Sequence, residues 1–329
     1  MDKSKPSNII KNLKRMTAAI GFVLVFLLIF SEFSGVLMHK QIEGRWNMTA
    51  KVAGFYNEEP DSFDVLFFGS SHMYCSVDPE ILKEETGLRA YVFATQLQPL
   101  WISYHYMIEA LKTQKPKLLV LEVNMAAKYG QEEYLDEATN HAAIDPIPMS
   151  LNKMRMIFAS APHGQRRYYI FNIMKYHDRW ESLEKPDYVR TYRIATDPEK
   201  GYVRLDKVEA DVAWEDVSGI TESLESSQKN IDYLNRIMDL ARQNGIPLLL
   251  FKSPSNVTAE EKMYYNGVGE LAAEKGVTYI DFNSSYHYHE MGINLEEDFY
   301  DQRHLNENGV KKFVPYFGGF LQDIMKSDE

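Results

Sequence analysis

The chain has 329 residues, of which 45% are apolar, 25% charged and 13% aromatic; this excludes a wholly disordered protein and leaves ample length for a core. The net charge of -11 argues against nucleic acid as a partner. A single cysteine, Cys75, excludes an intrachain disulfide and fits a bacterial cell-surface protein better than an animal secreted one.

The N-terminus departs from this average. Lys3, Lys5, Lys11, Lys14 and Arg15 give residues 1–16 a net charge of +4 against Asp2, so the remainder holds -15. An apolar run follows from Thr17 to Met38, broken only by Glu32; its 22 residues match the roughly 20 needed to cross a bilayer. The basic tail 1–16 should stay in the cytoplasm, placing the remainder outside the cell membrane. A cleaved signal peptide would need small residues after the run, where Glu32-Phe33-Ser34 stands, so the segment 17–38 reads as an uncleaved anchor.

Residues 39–62 read as a polar, irregular linker, and a main domain is expected over 63–329. Its first strand is expected at 63–69, then a helix after Pro79, over Glu80–Thr86, stopped by Gly87. A short strand is expected at Ala90–Ala94, a helix from Pro99 to Thr113, and a buried strand at Leu118–Val123. Regularity fails from 125 to 222, which reads as an insertion forming a cap or side lobe over the site. The pattern resumes with a helix at 224–243, a strand at Pro247–Phe251, a helix at 258–274, a strand at Val277–Asp281 and a last helix at 305–325. Strands that are continuously apolar and alternate with helices imply a parallel sheet covered on both faces. The expected fold is α/β, a three-layer α/β/α sandwich of flavodoxin-like type. Ligands of such sheets sit beyond the carboxyl ends of the strands.

Two short segments carry the chemistry. Gly69-Ser70-Ser71-His72 follows the first strand, where a sharp turn can hold a hydroxyl at the sheet's edge. Asp301-Gln302-Arg303-His304 stands where the chain enters the last helix. A serine, a histidine and an aspartate are the parts needed to activate an alcohol for acyl transfer. Blander readings stand beside each. Ser71 could be a turn residue or helix cap, Ser70 could be the nucleophile instead, and Asp301 could merely cap the helix with His304 at the surface. His72 could line the site or serve structure alone. Cys75 reads as a small buried hydrophobe. His287 and His289 have the spacing of a metal clip but no matching carboxylate or cysteine set, so neither metal nor cofactor is expected. The aromatic runs Trp101–Tyr106 and Tyr168-Tyr169 read as packing or as a carbohydrate platform.

The segment Phe67-Phe68-Gly69-Ser70-Ser71-His72, with Asp301-x-x-His304-Leu305-Asn306 near the end, resembles the SGNH/GDSL hydrolase superfamily, in particular its membrane-anchored bacterial branch that modifies cell-envelope polymers. The resemblance covers about 63–124 and 224–325. It implies that Ser71 is the nucleophile, His304 its general base and later acid, and Asp301 the group that orients the imidazole. Serine at position 70 replaces the family's aspartate, and the glycine of the second block has no counterpart in Ala94–Gln98. The third block's asparagine would fall at Asn124, a candidate oxyanion donor. The resemblance further implies acetyl or D-alanyl transfer to a surface polysaccharide or teichoic-acid-like acceptor, beside a membrane-bound O-acyltransferase. An extracellular carbohydrate esterase (deacetylase) and a catalytically inactive envelope scaffold remain as alternatives.

Overall fold

The computed structural model describes residues 5–128, 133–208 and 214–327. Lys3 of the basic tail, and the parts of the insertion at 129–132 and 209–213, lie outside the described residues.

Strands β1 (Val65–Phe68), β2 (Ala90–Val92), β3 (Leu118–Glu122), β4 (Leu248–Lys252) and β5 (Thr278–Asp281) form one sheet in the order β2-β1-β3-β4-β5. Every pairing is parallel, with Phe68 opposite Leu121 and Glu122 opposite Phe251. The expected α/β sandwich is thus the observed one, and its strand order is that of the flavodoxin-like sheets. Side-chain alternation splits the core into two layers. Leu66, Phe68, Leu119, Leu121 and Leu250 face one side. There they meet α5 (Leu100–Ala110), α10 (Gln228–Asn244) and α11 (Ala259–Lys275). Val65, Phe67, Val120, Leu249 and Phe251 face α4 (Pro79–Thr86) and the last helix, here α13 (Glu307–Ser327).

The order of the sheet reverses between β1 and β3, and a crevice at such a switch point is where α/β sheets place ligands. Gly69 makes the exit from β1 possible. Its φ is +148°, and a Cβ there would sit 3.0 Å from the Cβ of Glu122. The chain turns straight into the short helix α3 (Ser71–Tyr74), which is capped by Ser70.

One expectation needs correction. Residues 39–62 are not irregular throughout: α2 (Met48–Phe55) lies within them, all eight residues buried, with Val52 and Phe55 in the core. Even Lys51 is inside, its ammonium donating to the Tyr202 carbonyl and facing Asp197 at 3.4 Å. The apolar N-terminal helix α1 runs from Lys5 to Leu37, so the expected basic tail is helical from Lys5 onward. It is long and apolar enough to cross a membrane. Of the two forms expected for the insertion, cap or side lobe, its described residues take the second. Its helices α6 (Glu137–Ile144), α7 (Leu151–Ser160), α8 (Arg166–Ile170) and α9 (Asn172–Tyr176) pack against α5, α2 and α1. The chain then returns along the sheet's edge, where the N–H of Val92 donates to the Lys200 carbonyl at 2.8 Å. At Gly201, with φ +91°, a Cβ would collide with the Val92 carbonyl, so this edge is covered at close quarters.

Candidate active site

Ser71 and His304 lie 233 positions apart in sequence and meet: Ser71 Oγ is 2.8 Å from His304 Nε2. The other ring nitrogen, Nδ1, lies 2.9 Å from both carboxylate oxygens of Asp301. The carboxylate can only accept, so Nδ1 carries a proton and Nε2 is free to accept the serine's. Asp301 also accepts the N–H groups of Arg303 (2.7 Å) and His304 (2.9 Å). Burial pushes its carboxyl up, but the His304 ring and these N–H groups outweigh that and hold it below the usual carboxylate value. An alcohol, an imidazole and a carboxylate in this chain can pass a proton away from oxygen as it attacks.

The loop carrying Asp301 and His304 is fastened at both ends. Phe299 pairs with Leu305 in a single antiparallel bridge, and the N–H of Tyr300 donates to the His304 carbonyl at 2.9 Å. On the other side, Arg303 donates to Glu261 (2.7 Å) and to the Asn256 carbonyl (3.0 Å). Glu261 also accepts from Lys128 at 2.8 Å and closes a capping box with Thr258 at the start of α11. Burial alone would raise the Glu261 carboxyl. The Arg303 and Lys128 hydrogen bonds and the Thr258 N–H overcome it and bring the pKa from 4.5 to about 2. A depressed carboxyl stabilises the fold above its unfolded value, and that contribution is lost as pH falls from about 4.5 towards about 2. Glu261→Gln is therefore expected to cost up to about 3 kcal/mol at neutral pH and to flatten the acid limb of stability. Urea unfolding of the full chain in detergent between pH 7 and 2 measures both. Equal acid slopes for the two proteins would refute the assignment.

The remaining candidates take different places. Ser70 is fully buried, and its Oγ accepts the N–H of His72 at 3.4 Å, a helix-capping role away from His304. Asn124 opens the 3₁₀ turn after β3, three residues beyond the strand position opposite Phe68. Its Oδ1 accepts the Tyr265 hydroxyl at 3.0 Å, which fixes the amide with its NH₂ as the remaining end. His72 is buried with its ring centre 5.2 Å from that of His304. Burial first, then the charges of Lys252 and His304, push its pKa well below the ordinary imidazole value. Its Nδ1 lies 3.3 Å from Lys252 Nζ. A donor-only ammonium makes Nδ1 the acceptor, so the His72 proton sits on Nε2.

Lys252 belongs to a network that the sequence reading passed over. Its side chain and that of Glu122 are both wholly buried, at the ends of β4 and β3, and their charges lie 3.3 Å apart. Lys252 also donates to the Ser253 carbonyl (2.9 Å) and to Ser255 Oγ (3.0 Å), while Asn283 holds the Ser255 N–H at 2.8 Å. Burial pushes Lys252 down and Glu122 up, each opposed by the other's charge. A charged residue inside or ending an apolar strand was the available signal, in Leu118–Glu122 and Leu248–Lys252.

Cys75 is buried in the apolar layer, where burial raises its thiol. His287 and His289 lie on a helix, α12 (Ser285–Met291), where side chains two apart diverge; His287 bonds Tyr316 at 2.9 Å. Trp101 and Tyr106 are core residues, and Tyr169 is buried with its ring stacked on His141.

Comparison with protein-family models and with curated proteins returned no match. Among solved structures, one similar chain is provisionally described as a lipolytic protein of the G-D-S-L family from Desulfitobacterium hafniense; it is 11% identical, with 79% of this chain and 98% of that one covered and a TM-score of 0.39. Another, provisionally described as an acylhydrolase from Bacteroides fragilis, is 12% identical, with 86% and 95% covered and a TM-score of 0.39.

Proposed function

We propose that this chain is a membrane-anchored serine acyl-transfer enzyme of the SGNH/GDSL kind, with Ser71, His304 and Asp301 as its catalytic residues. The observation that carries this reading is the relay from Ser71 Oγ through both His304 nitrogens to Asp301, at 2.8 and 2.9 Å. Ser71 Oγ attacks an ester carbonyl while Nε2 takes its proton. The negative charge on the carbonyl oxygen faces the Ser71 N–H, with the Asn124 amide as a second donor; removing one such donor typically costs about 10²–10³ in rate. When the ester C–O bond breaks, His304 returns the proton to the departing alcohol and leaves an acyl-serine. A second hydroxyl then attacks the acyl-serine, with His304 again as base; the acyl–Oγ bond breaks and His304 returns the proton to Ser71. Asp301 stays ionised throughout and steadies the imidazolium.

In this reading α1 crosses the cell membrane once, with its basic end inside and the α/β domain outside. That placement suits acyl groups, acetyl or D-alanyl, handed on by a membrane-bound O-acyltransferase to a surface polysaccharide or teichoic-acid-like polymer. The triad is the same whether a sugar hydroxyl or water resolves the acyl-enzyme. Acylation of the polymer in cells, lost on deletion of the gene and restored only with both the chain and its acyltransferase partner, is the expected result. Steady acetate release from a chromogenic acetate or acetylated xylan by the purified chain alone would replace transfer by hydrolysis.

A further inference from the structure

The anchor helix is not a tether joined to the rest by a loose linker. Its last two turns are bolted to the side lobe. Phe30 meets Phe171 edge-on at 6.0 Å, and Ser34 Oγ accepts the Ile173 N–H at 3.1 Å. Arg190 donates to the Glu32 carbonyl (3.0 Å) and pairs with its carboxylate (2.7 Å). Arg179 donates to the Leu37 carbonyl at 2.7 Å. These contacts run from residue 30 to residue 37, a stretch of about 10 Å at 1.5 Å per residue. The apolar run that would fill a bilayer ends at Met38. A helix that spans the membrane therefore carries the lobe down to the depth of its own outer end.

The lobe's surface is built for that depth. Phe171, Met174, Trp180, Tyr188 and Tyr192 are 45%, 42%, 63%, 61% and 62% exposed. Single exposed apolar residues are ordinary, but here they belong to the segments that grip the helix. Tryptophan and tyrosine at the end of a spanning helix are the side chains that favour the headgroup layer. Between helix and lobe lies an open cleft of about 400 Å³, walled by Leu27, Phe30 and Phe171 and also by Glu32, Lys153 and Arg190. Walls that mix apolar and charged side chains match the headgroup layer, where acyl carbon and charge lie side by side.

We infer that the lobe formed by residues 166–193 lies in the outer leaflet as an interfacial foot, its occupant being bilayer lipid. This rests on the reading of α1 as a membrane span. The foot holds the Ser71 site at a fixed height and orientation above the bilayer, which a single flexible anchor could not do.

The test places a fluorophore on single introduced cysteines in the full chain, reconstituted in vesicles of phosphatidylcholine and phosphatidylglycerol with a lipid nitroxide, near the headgroup for the lobe positions and at mid-chain for the anchor. Native Cys75 is buried and should stay unlabelled. Phe171→Cys, Trp180→Cys and Tyr192→Cys should lose emission to the lipid nitroxide, as should Leu24→Cys in the anchor. Glu84→Cys, exposed on α4, should not. Loss at Leu24→Cys with none at the three lobe positions would overturn the foot while keeping the anchor, and would leave water or a protein as that face's neighbour. No loss at Leu24→Cys would remove the anchor reading and the foot with it.

Discussion

Ser71→Ala is expected to abolish covalent labelling by a fluorophosphonate and to lower turnover by about 10⁴–10⁶, the range seen when a serine-histidine pair loses its nucleophile. The loss is chemical and not structural. Ser71 stands at the first position of a short helix with its Oγ directed to His304 at 2.8 Å, so alanine removes the attacking atom and little packing. Ser70→Ala separates the two serines. Its hydroxyl caps the His72 N–H, so its loss should cost about 0.5–2 kcal/mol of stability and leave labelling intact. Asp301→Asn should keep the fold, yet it supplies an amide that can hold the wrong imidazole tautomer, with a loss of about 10⁴ in turnover. Intact labelling of a folded Ser71→Ala protein would end the catalytic proposal, and absent labelling of the wild type would favour an inert scaffold.

The parts of this molecule that the sequence makes legible are those governed by neighbours in the chain. The helix Pro79–Thr86 ends where expected, at Gly87 with φ +76°, and starts one residue earlier than expected, with the proline as its first residue. The strands stand out because a sheet covered on both faces needs unbroken apolar runs, as in Leu118–Leu121. The helix α2 stays hidden for the opposite reason. All eight residues are buried, so it has no polar face and no helical period to read. The lobe is hard to read because its helices are only five to ten residues long, and much of their apolar surface faces the anchor or is exposed. At the site, Ser71, Asp301 and His304 stand out as short motifs. The environment of Asn124 does not, since it depends on Tyr265, 141 positions away.

Lys252→Met is expected to be the most damaging single change to stability, at about 3–5 kcal/mol, because it leaves a buried carboxylate without its partner. Glu122 retains the Asn124 N–H at 3.1 Å and the Ser253 hydroxyl at 3.4 Å, which soften the loss without replacing a charge. The variant should also acquire a pH dependence of definite sign. Burial already raises the Glu122 carboxyl above 4.5, and removing the ammonium raises it further. A carboxyl raised in the folded state binds its proton more tightly there than in the unfolded chain. Stability should then be greatest at acid pH and fall as pH rises from about 4.5 through the raised value, the reverse of the Glu261 effect. Adding Glu122→Leu removes the stranded charge, and replacing both members of a buried pair by apolar groups is often neutral or stabilising by about 1–4 kcal/mol. The double variant should therefore recover most of the loss and lose the new pH slope, as read by urea midpoints at pH 5 and pH 8. Recovery of fold separates the pair's structural role from its effect on His72, whose Nδ1 would have lost its donor at 3.3 Å. If the single variant is as stable as the wild type at pH 8, the two side chains do not form an ion pair.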